Sequence, residues 1–169
     1  AFMATASFHV PEAFPEHAPP MPEVAMPELL LSSAEVLSGL DGADIDYWSH
    51  GRSFDMRHVP GSVYVEIEGE RTAHQAVWVR AFDRLDDDPR THQLAIAYVC
   101  DYTILEPVLR VLGLPWRTEG LVTASLDHAM WFHTAARADE WLLYAQESAA
   151  ISDGRGLGLG RFYTRDGRL

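Results

Sequence analysis

A hydroxyl and a carboxylate lie two residues apart, at Ser125 and Asp127, within residues 121–133, where LVTASLDHAMWFH alternates polar and apolar side chains. On an extended chain alternate residues share a face, so Thr123, Ser125 and Asp127 fall on one side and Val122, Leu126, Met130 and Phe132 on the other. Such a polar face can position a water or a substrate carbonyl, and it is equally what the exposed side of an ordinary strand looks like. A second carboxylate, Asp101, interrupts the apolar run of residues 91–105, which reads as a helix buried on most sides. A buried carboxylate is costly unless hydrogen-bond donors meet it or its pKa shifts, which makes Asp101 a functional candidate. Alternatively the helix breaks there and Asp101 caps the segment leading to Pro107.

Other reactive residue types carry weaker signals. Cys100 is the only cysteine, which excludes an internal disulfide, and its apolar surroundings predict a buried thiol, not a nucleophile. His128 and His133 are an odd number of positions apart, so on one strand they face opposite ways and cannot share a metal; no metal site and no cofactor are expected. No G-x-S-x-G elbow is present, which argues against a Ser-His-Asp hydrolase.

The elements that must hold these residues follow from local patterning. Residues 1–10 alternate strictly, and the prolines at 11, 15, 19, 20, 22 and 27 then forbid helix or central strand and predict an extended linker lying across a surface. Ser32 to Glu35 resembles a capping box. Strands are expected over 54–59, 63–67 and 73–82, and Asp88-Pro89 is a helix start. Pro107 should kink or end that helix, and Gly113 and Pro115 should stop a further turn over 109–114. Residues 141–148 are strand-like. The alternating glycines 154, 156, 158 and 160 do not fit a dinucleotide-binding loop and instead predict a bare sheet face that another element approaches. Asp166-Gly167 is a hairpin signal, and the unpaired opening strand together with this half hairpin leads us to expect a piece of a longer protein.

Composition narrows the function classes. The 169 residues suit one domain plus a remnant of another, and a net charge of -12 argues against nucleic-acid or anionic-membrane binding. All 13 positive charges are arginines, and Arg155, Arg161, Arg165 and Arg168 cluster near the end, as an anion site or as a solvated strand edge. The absence of a signal-peptide pattern and of any long apolar run leads us to expect a soluble protein, most simply cytoplasmic.

Several stretches carry a family resemblance: residues 6–12 (ASFHVPE), 92–102 (HQLAIAYVCDY), 125–133 (SLDHAMWFH), 138–144 (ADEWLLY) and 160–169 (GRFYTRDGRL). Together they closely resemble acyl-CoA thioesterase II, the TesB type, and the Asp-His-x-Met-Trp-Phe-His run is highly specific to it. The resemblance implies an α+β hot-dog fold, an antiparallel sheet wrapped around a long central helix, as the second half of a double hot-dog. By that pattern residues 1–12 are the last strand of an N-terminal hot-dog domain, 13–35 the Pro-rich linker, and 36–169 a C-terminal hot-dog domain lacking its final strand. It also implies hydrolysis of fatty acyl-CoA by a water held between Asp101, Ser125 and a glutamine beyond Leu169, with Asp127 structural and the protein a homo-oligomer. Strand alternation sets a tension here, because Ser125 would point away from the helix that carries Asp101 unless a bulge, a strand end or the sheet edge intervenes. Two further readings stay open, a hot-dog hydratase or dehydratase using a histidine such as His92, and an acyl-thioester binding or assembly module without turnover.

Overall fold

The computed structural model describes residues 3–10, 12, 13, 15 and 17–169. One antiparallel sheet runs in chain order through β1 (Phe54–His58), β2 (His74–Ala81), β3 (Leu142–Ser152) and β4 (Arg155–Thr164). Two single-turn helices, α1 (Ser33–Val36) and α2 (Ala43–Asp46), precede the sheet, while α3 (Pro89–Val99) and α4 (Glu106–Leu112) lie between β2 and β3.

The period-two alternation of the strands gives the sheet two apolar faces. On one, Met56, Val77, Val79 and Leu142 pack with Ile96 and Val99 of α3. On the other, Trp78, Trp141, Leu143 and Tyr163 are covered by Met21, Val24, Met26 and Leu30 of the proline-rich segment. Burying each such side chain contributes on the order of 1.5–3 kcal/mol, so the segment is part of the fold and not a loose tether. Polar contacts fix its path: Trp78 Nε1 donates to the Ala25 carbonyl at 2.8 Å, and Arg57 Nη1 donates to the carbonyls of Pro27 and Leu30.

Caps form where the residue types anticipate them. Ser32 and Glu35 satisfy each other's backbone N–H groups in a capping box, and the Asp88 carboxylate accepts from the Arg90 N–H at the start of α3. Pro107 sits in the first turn of α4, where its missing N–H costs nothing, and Gly113 ends that helix in the left-handed region at φ 69°.

Several expectations are corrected. Helix α3 is not buried all round: His92, Ile96 and Val99 face the core, whereas Leu94 and Tyr98 are 72% and 56% exposed. The long helix over 91–105 is two helices, separated by a 3-10 turn at Cys100–Tyr102. Residues 63–67 form no strand, although Val63 and Tyr64 are fully buried and their carbonyls accept the N–H groups of Trp116 and Arg117. Residues 3–10 have no regular secondary structure.

Residues 121–133 are not a strand either. Val122, Leu126 and Phe132 are 91%, 77% and 45% exposed, and of the apolar set only Met130 packs against the core. A strand requires a hydrogen-bonded neighbour, and among the described residues this stretch's only backbone bond to another residue is Leu121 N–H to Thr118 O. The alternation is real; no described strand lies alongside to use it.

Two of the four alternating glycines, Gly156 and Gly158, do what the spacing anticipates, whereas Gly154 falls in the β3–β4 turn with open space beside it and a Cβ on Gly160 would meet the Tyr144 ring of β3. A Cβ on Gly156 would come within 2.9 Å of Val108, and one on Gly158 within 2.6 Å of the Ile104 carbonyl oxygen, so the bare face of β4 admits the start of α4 and the turn before it. The β3–β4 turn is Asp153-Gly154, with φ of 50° and 71°, a two-residue hairpin whose Asp-Gly signal the sequence reading passed over. At Asp166-Gly167 the chain reverses as anticipated: Gly167 N–H donates to Thr164 O at 2.9 Å and Thr164 N–H to Arg168 O at 2.8 Å.

Candidate active site

Asp101 sits in the 3-10 turn between α3 and α4 and is exposed, not at the centre of a buried helix. The break follows from the residues beyond it. Thr103 is completely buried, with its hydroxyl accepting from Gln146 Nε2 of β3 at 2.6 Å, and its carbonyl accepts the Glu106 N–H at 2.8 Å. The chain is thus tied to the sheet two residues after Asp101, and the carboxylate stands out from the turn.

Ser125 reaches that carboxylate, donating from Oγ to Asp101 Oδ1 at 2.9 Å. The tension over Ser125 disappears because residues 121–133 take no strand geometry, and their irregular path carries the hydroxyl across the end of α3. Both residues line an open cavity of about 1390 Å³ bounded by α3, α4, β4 and residues 121–134. The walls include Ile96, Ile104, Leu105, Val108, Leu157 and Leu159, an apolar lining suited to an alkyl chain.

Cys100, beside Asp101, is buried; its Sγ donates to Ala97 O at 3.0 Å and lies 3.8 Å from His128 Nε2. Burial, with the Asp101 charge next, pushes its thiol up to about 12, so it stays protonated near neutrality and is no nucleophile. Burial likewise drives the Tyr144 phenol far above its ordinary range, and it remains a neutral wall of the cavity.

Asp127 is exposed and makes no hydrogen bond or ion pair among the described residues, so the structural role expected of it has no partner here. His92 is held in the buried core, where its Nδ1 accepts from the Ala138 N–H at 3.2 Å and its Nε2 is enclosed without a partner among the described residues. The four late arginines pair with acids, Arg155 with Asp153, Arg161 with Glu147, Arg165 with Glu28 and Arg168 with Asp166, which favours the solvated-edge reading over an anion site. No helix among the described residues is long and apolar enough to cross a membrane.

The family model for acyl-CoA thioesterases matches residues 49–169. The chain belongs to that family. The acyl-CoA thioesterase II TesB2 of Mycobacterium marinum superposes with a TM-score of 0.67 at 34% identity, over 94% of this chain and 54% of its own. A hot-dog-fold protein from Alicyclobacillus acidocaldarius aligns with a TM-score of 0.59 at 18% identity, which identifies the fold of this thioesterase-family chain as hot-dog. Acyl-CoA thioesterase 2 of Haemophilus influenzae is 29% identical over 98% of this chain and 59% of its own length. Mouse acyl-coenzyme A thioesterase 8 is 43% identical over 56% of this chain and 29% of its own. The chain therefore spans a little over half, or less, of the relatives it matches.

Proposed function

We propose that the protein hydrolyses fatty acyl-CoA to a free acid and CoA. The observation that carries the reading is the Ser125 Oγ to Asp101 Oδ1 hydrogen bond at the mouth of an apolar cavity. The Ser125 hydroxyl donates a hydrogen bond to Asp101 Oδ1 and keeps its oxygen lone pairs free, while Asp101 Oδ2 has no partner among the described residues. A water held at these two acceptors has an oxygen lone pair free to attack the thioester carbonyl. Asp101 takes the water's proton as its oxygen adds to the carbonyl, the tetrahedral oxyanion collapses with cleavage of the C–S bond, and the proton held by Asp101 passes to the departing thiolate, which leaves the free acid, CoA and the regenerated carboxylate. No acyl-enzyme is required. A glutamine on a strand returning along the free edge of β4 completes the set: its amide both donates and accepts, so it holds the water without adding a second negative charge.

In this reading an N-terminal hot-dog domain of the same polypeptide covers the exposed Leu94 of α3, and residues 1–12 belong to that domain, taking strand geometry only by pairing with its sheet. The full protein is a cytoplasmic homo-oligomer. The deciding experiment measures CoA release from a panel of acyl-CoA chain lengths. Release that disappears in Asp101→Asn supports hydrolysis at this site, and binding of acyl-CoA without release would favour a non-catalytic module.

A further inference from the structure

A cationic group outside the Asp101–Ser125 pair forms no ion pair among the described residues, the buried Glu106 carboxylate lying near enough only to feel its charge. Arg52 is 7% exposed, and no carboxylate lies within ion-pair distance of it among the described residues. Its Nη1 donates to Tyr64 Oη at 3.0 Å and to Met56 Sδ at 3.4 Å, Nε is buried without an acceptor, and Nη2 has none among the described residues. The other buried arginine differs. Arg110 fills its donors with Gln75 Oε1 and the carbonyls of Gly61, Glu68 and Glu70. In a chain of net charge -12, where most surface arginines pair with acids, a buried guanidinium left with open donors is an exception.

What surrounds it is aromatic. The guanidinium carbon lies 5.5 Å from the Tyr47 ring centroid, 5.7 Å from Tyr64 and 4.8 Å from Tyr102. Ring faces offset only part of the cost of burying a charge, and they supply no hydrogen-bond acceptor for Nε or Nη2. The cluster opens outward, since Tyr47 and Tyr98 are 46% and 56% exposed and Tyr98 meets Tyr102 edge-on at 5.2 Å. Open guanidinium donors beside exposed ring faces are complementary to a phosphate joined to a purine, the phosphate accepting from Arg52 and the base stacking on tyrosine.

The cluster's position relative to Asp101 gives it a role. Cys100 and Ile104 line the apolar cavity, while Tyr102, between them in sequence, turns its ring to Arg52, Phe54 and Tyr98. The turn that presents Asp101 thus has the apolar cavity on one flank and the cationic aromatic cluster on the other. We infer that Arg52, Tyr47, Tyr98 and Tyr102 form the subsite for the phosphate and purine end of the substrate's coenzyme A, the acyl chain lying across the turn in the cavity. This rests on the proposed acyl-CoA hydrolysis. It also explains how a strongly acidic protein retains a polyanionic substrate.

The test compares CoA with pantetheine, which has neither phosphate nor purine, in equilibrium titrations of the wild-type protein, Arg52→Gln and Tyr98→Ser. Arg52 touches the core and its replacement can impair folding, whereas Tyr98 is exposed, so the second variant keeps the test decisive. Wild-type protein should bind CoA at least about tenfold more tightly than pantetheine, and each variant should lose about tenfold for CoA and shrink that ratio. In turnover, KM for an acyl-CoA should rise about tenfold more than KM for the matching acyl N-acetylcysteamine thioester. Unchanged CoA binding in folded Tyr98→Ser, or equal losses for CoA and pantetheine, overturns the subsite even if acyl-CoA is hydrolysed. CoA binding that depends on Arg52 and Tyr98, in a protein that releases no CoA from any acyl-CoA, upholds the subsite and overturns the hydrolysis.

Discussion

Gln146 of β3 donates its amide to the hydroxyl of Thr103 at 2.6 Å, tying the sheet to the residue two beyond Asp101. Both side chains are buried, and the Gln146 carbonyl oxygen has no partner. Replacing Gln146 by leucine removes that orphan acceptor together with the donor, and frees the turn. We expect a loss of about 1–3 kcal/mol in the denaturation midpoint, the usual effect of breaking a buried hydrogen bond. Turnover should fall further than stability implies, because the turn that fixes Asp101 loses its tether. Loss of stability with unaltered kcat would show that the bond does not position the carboxylate.

Asp101→Asn and Ser125→Ala should each lower kcat about a hundredfold or more while leaving the denaturation midpoint in place, since both side chains are exposed and each removes one contact to a positioned water. The double variant should be little worse than either single one, because the two act on the same water. Asp127→Asn, at an exposed carboxylate without a partner among the described residues, should change stability by less than about 0.5 kcal/mol. Comparing kcat and urea midpoints for wild type and the four variants checks all three statements.

Gly158→Ala should destabilise the fold although β4 is an edge strand. The added methyl would sit 2.6 Å from the Ile104 carbonyl oxygen, a backbone atom that cannot swing aside as a side chain would. Forcing β4 away from the turn before α4 costs about 1–3 kcal/mol by the usual scale for overpacking. Thermal unfolding measures it directly, and a variant as stable as wild type would mean that the contact is looser than the structure has it.

How far the sequence alone reaches can be read from particular residues. Local signals sufficed where local physics decides: the Ser32–Glu35 capping box, the Asp88 cap, Gly113 as a helix stop, and Gly156 and Gly158 of β4. The hydroxyl and carboxylate at Ser125 and Asp101 were legible through the family motif, and the structure brings them to 2.9 Å. Residues 121–133 went wrong because alternation reports which faces a strand would have and says nothing about whether another strand pairs with it. For Asp101 the apolar window leaves two readings open, a buried helix centre and a helix break, and the structure has the break, with only His92, Ile96 and Val99 of α3 turned inward. Arg52 gives no signal in the sequence, since a buried cation without an ion pair is visible only after Tyr47, Tyr64 and Tyr102 come together around it. The same holds for the fully buried Glu106, whose partners come from β1, β2 and the segment after α4.

Glu106 sets the acid limit of the fold. Its carboxylate is fully buried and takes hydrogen bonds from His58 Nε2 at 2.9 Å, Gln75 Nε2 at 2.8 Å and Trp116 Nε1 at 3.3 Å. Burial alone would raise its pKa, but the facing His58 ring, the Gln75 amide and the nearby Arg52 charge outweigh burial and hold it below the ordinary 4.5. Because the folded pKa is lower than the unfolded one, this group's contribution is fully present above about pH 4.5 and is lost as pH falls through the lowered folded value. Glu106→Gln removes the charge and turns an N–H pair toward donors that need an acceptor. It should cost about 1–3 kcal/mol at neutral pH, the range for leaving a buried hydrogen-bonding group without its partner. Urea midpoints measured from pH 7 down to pH 3 should fall more steeply below pH 4.5 for wild type than for the variant, so the gap between them narrows with acid. A gap that stays constant across that range would mean that Glu106 does not carry its charge in the folded protein.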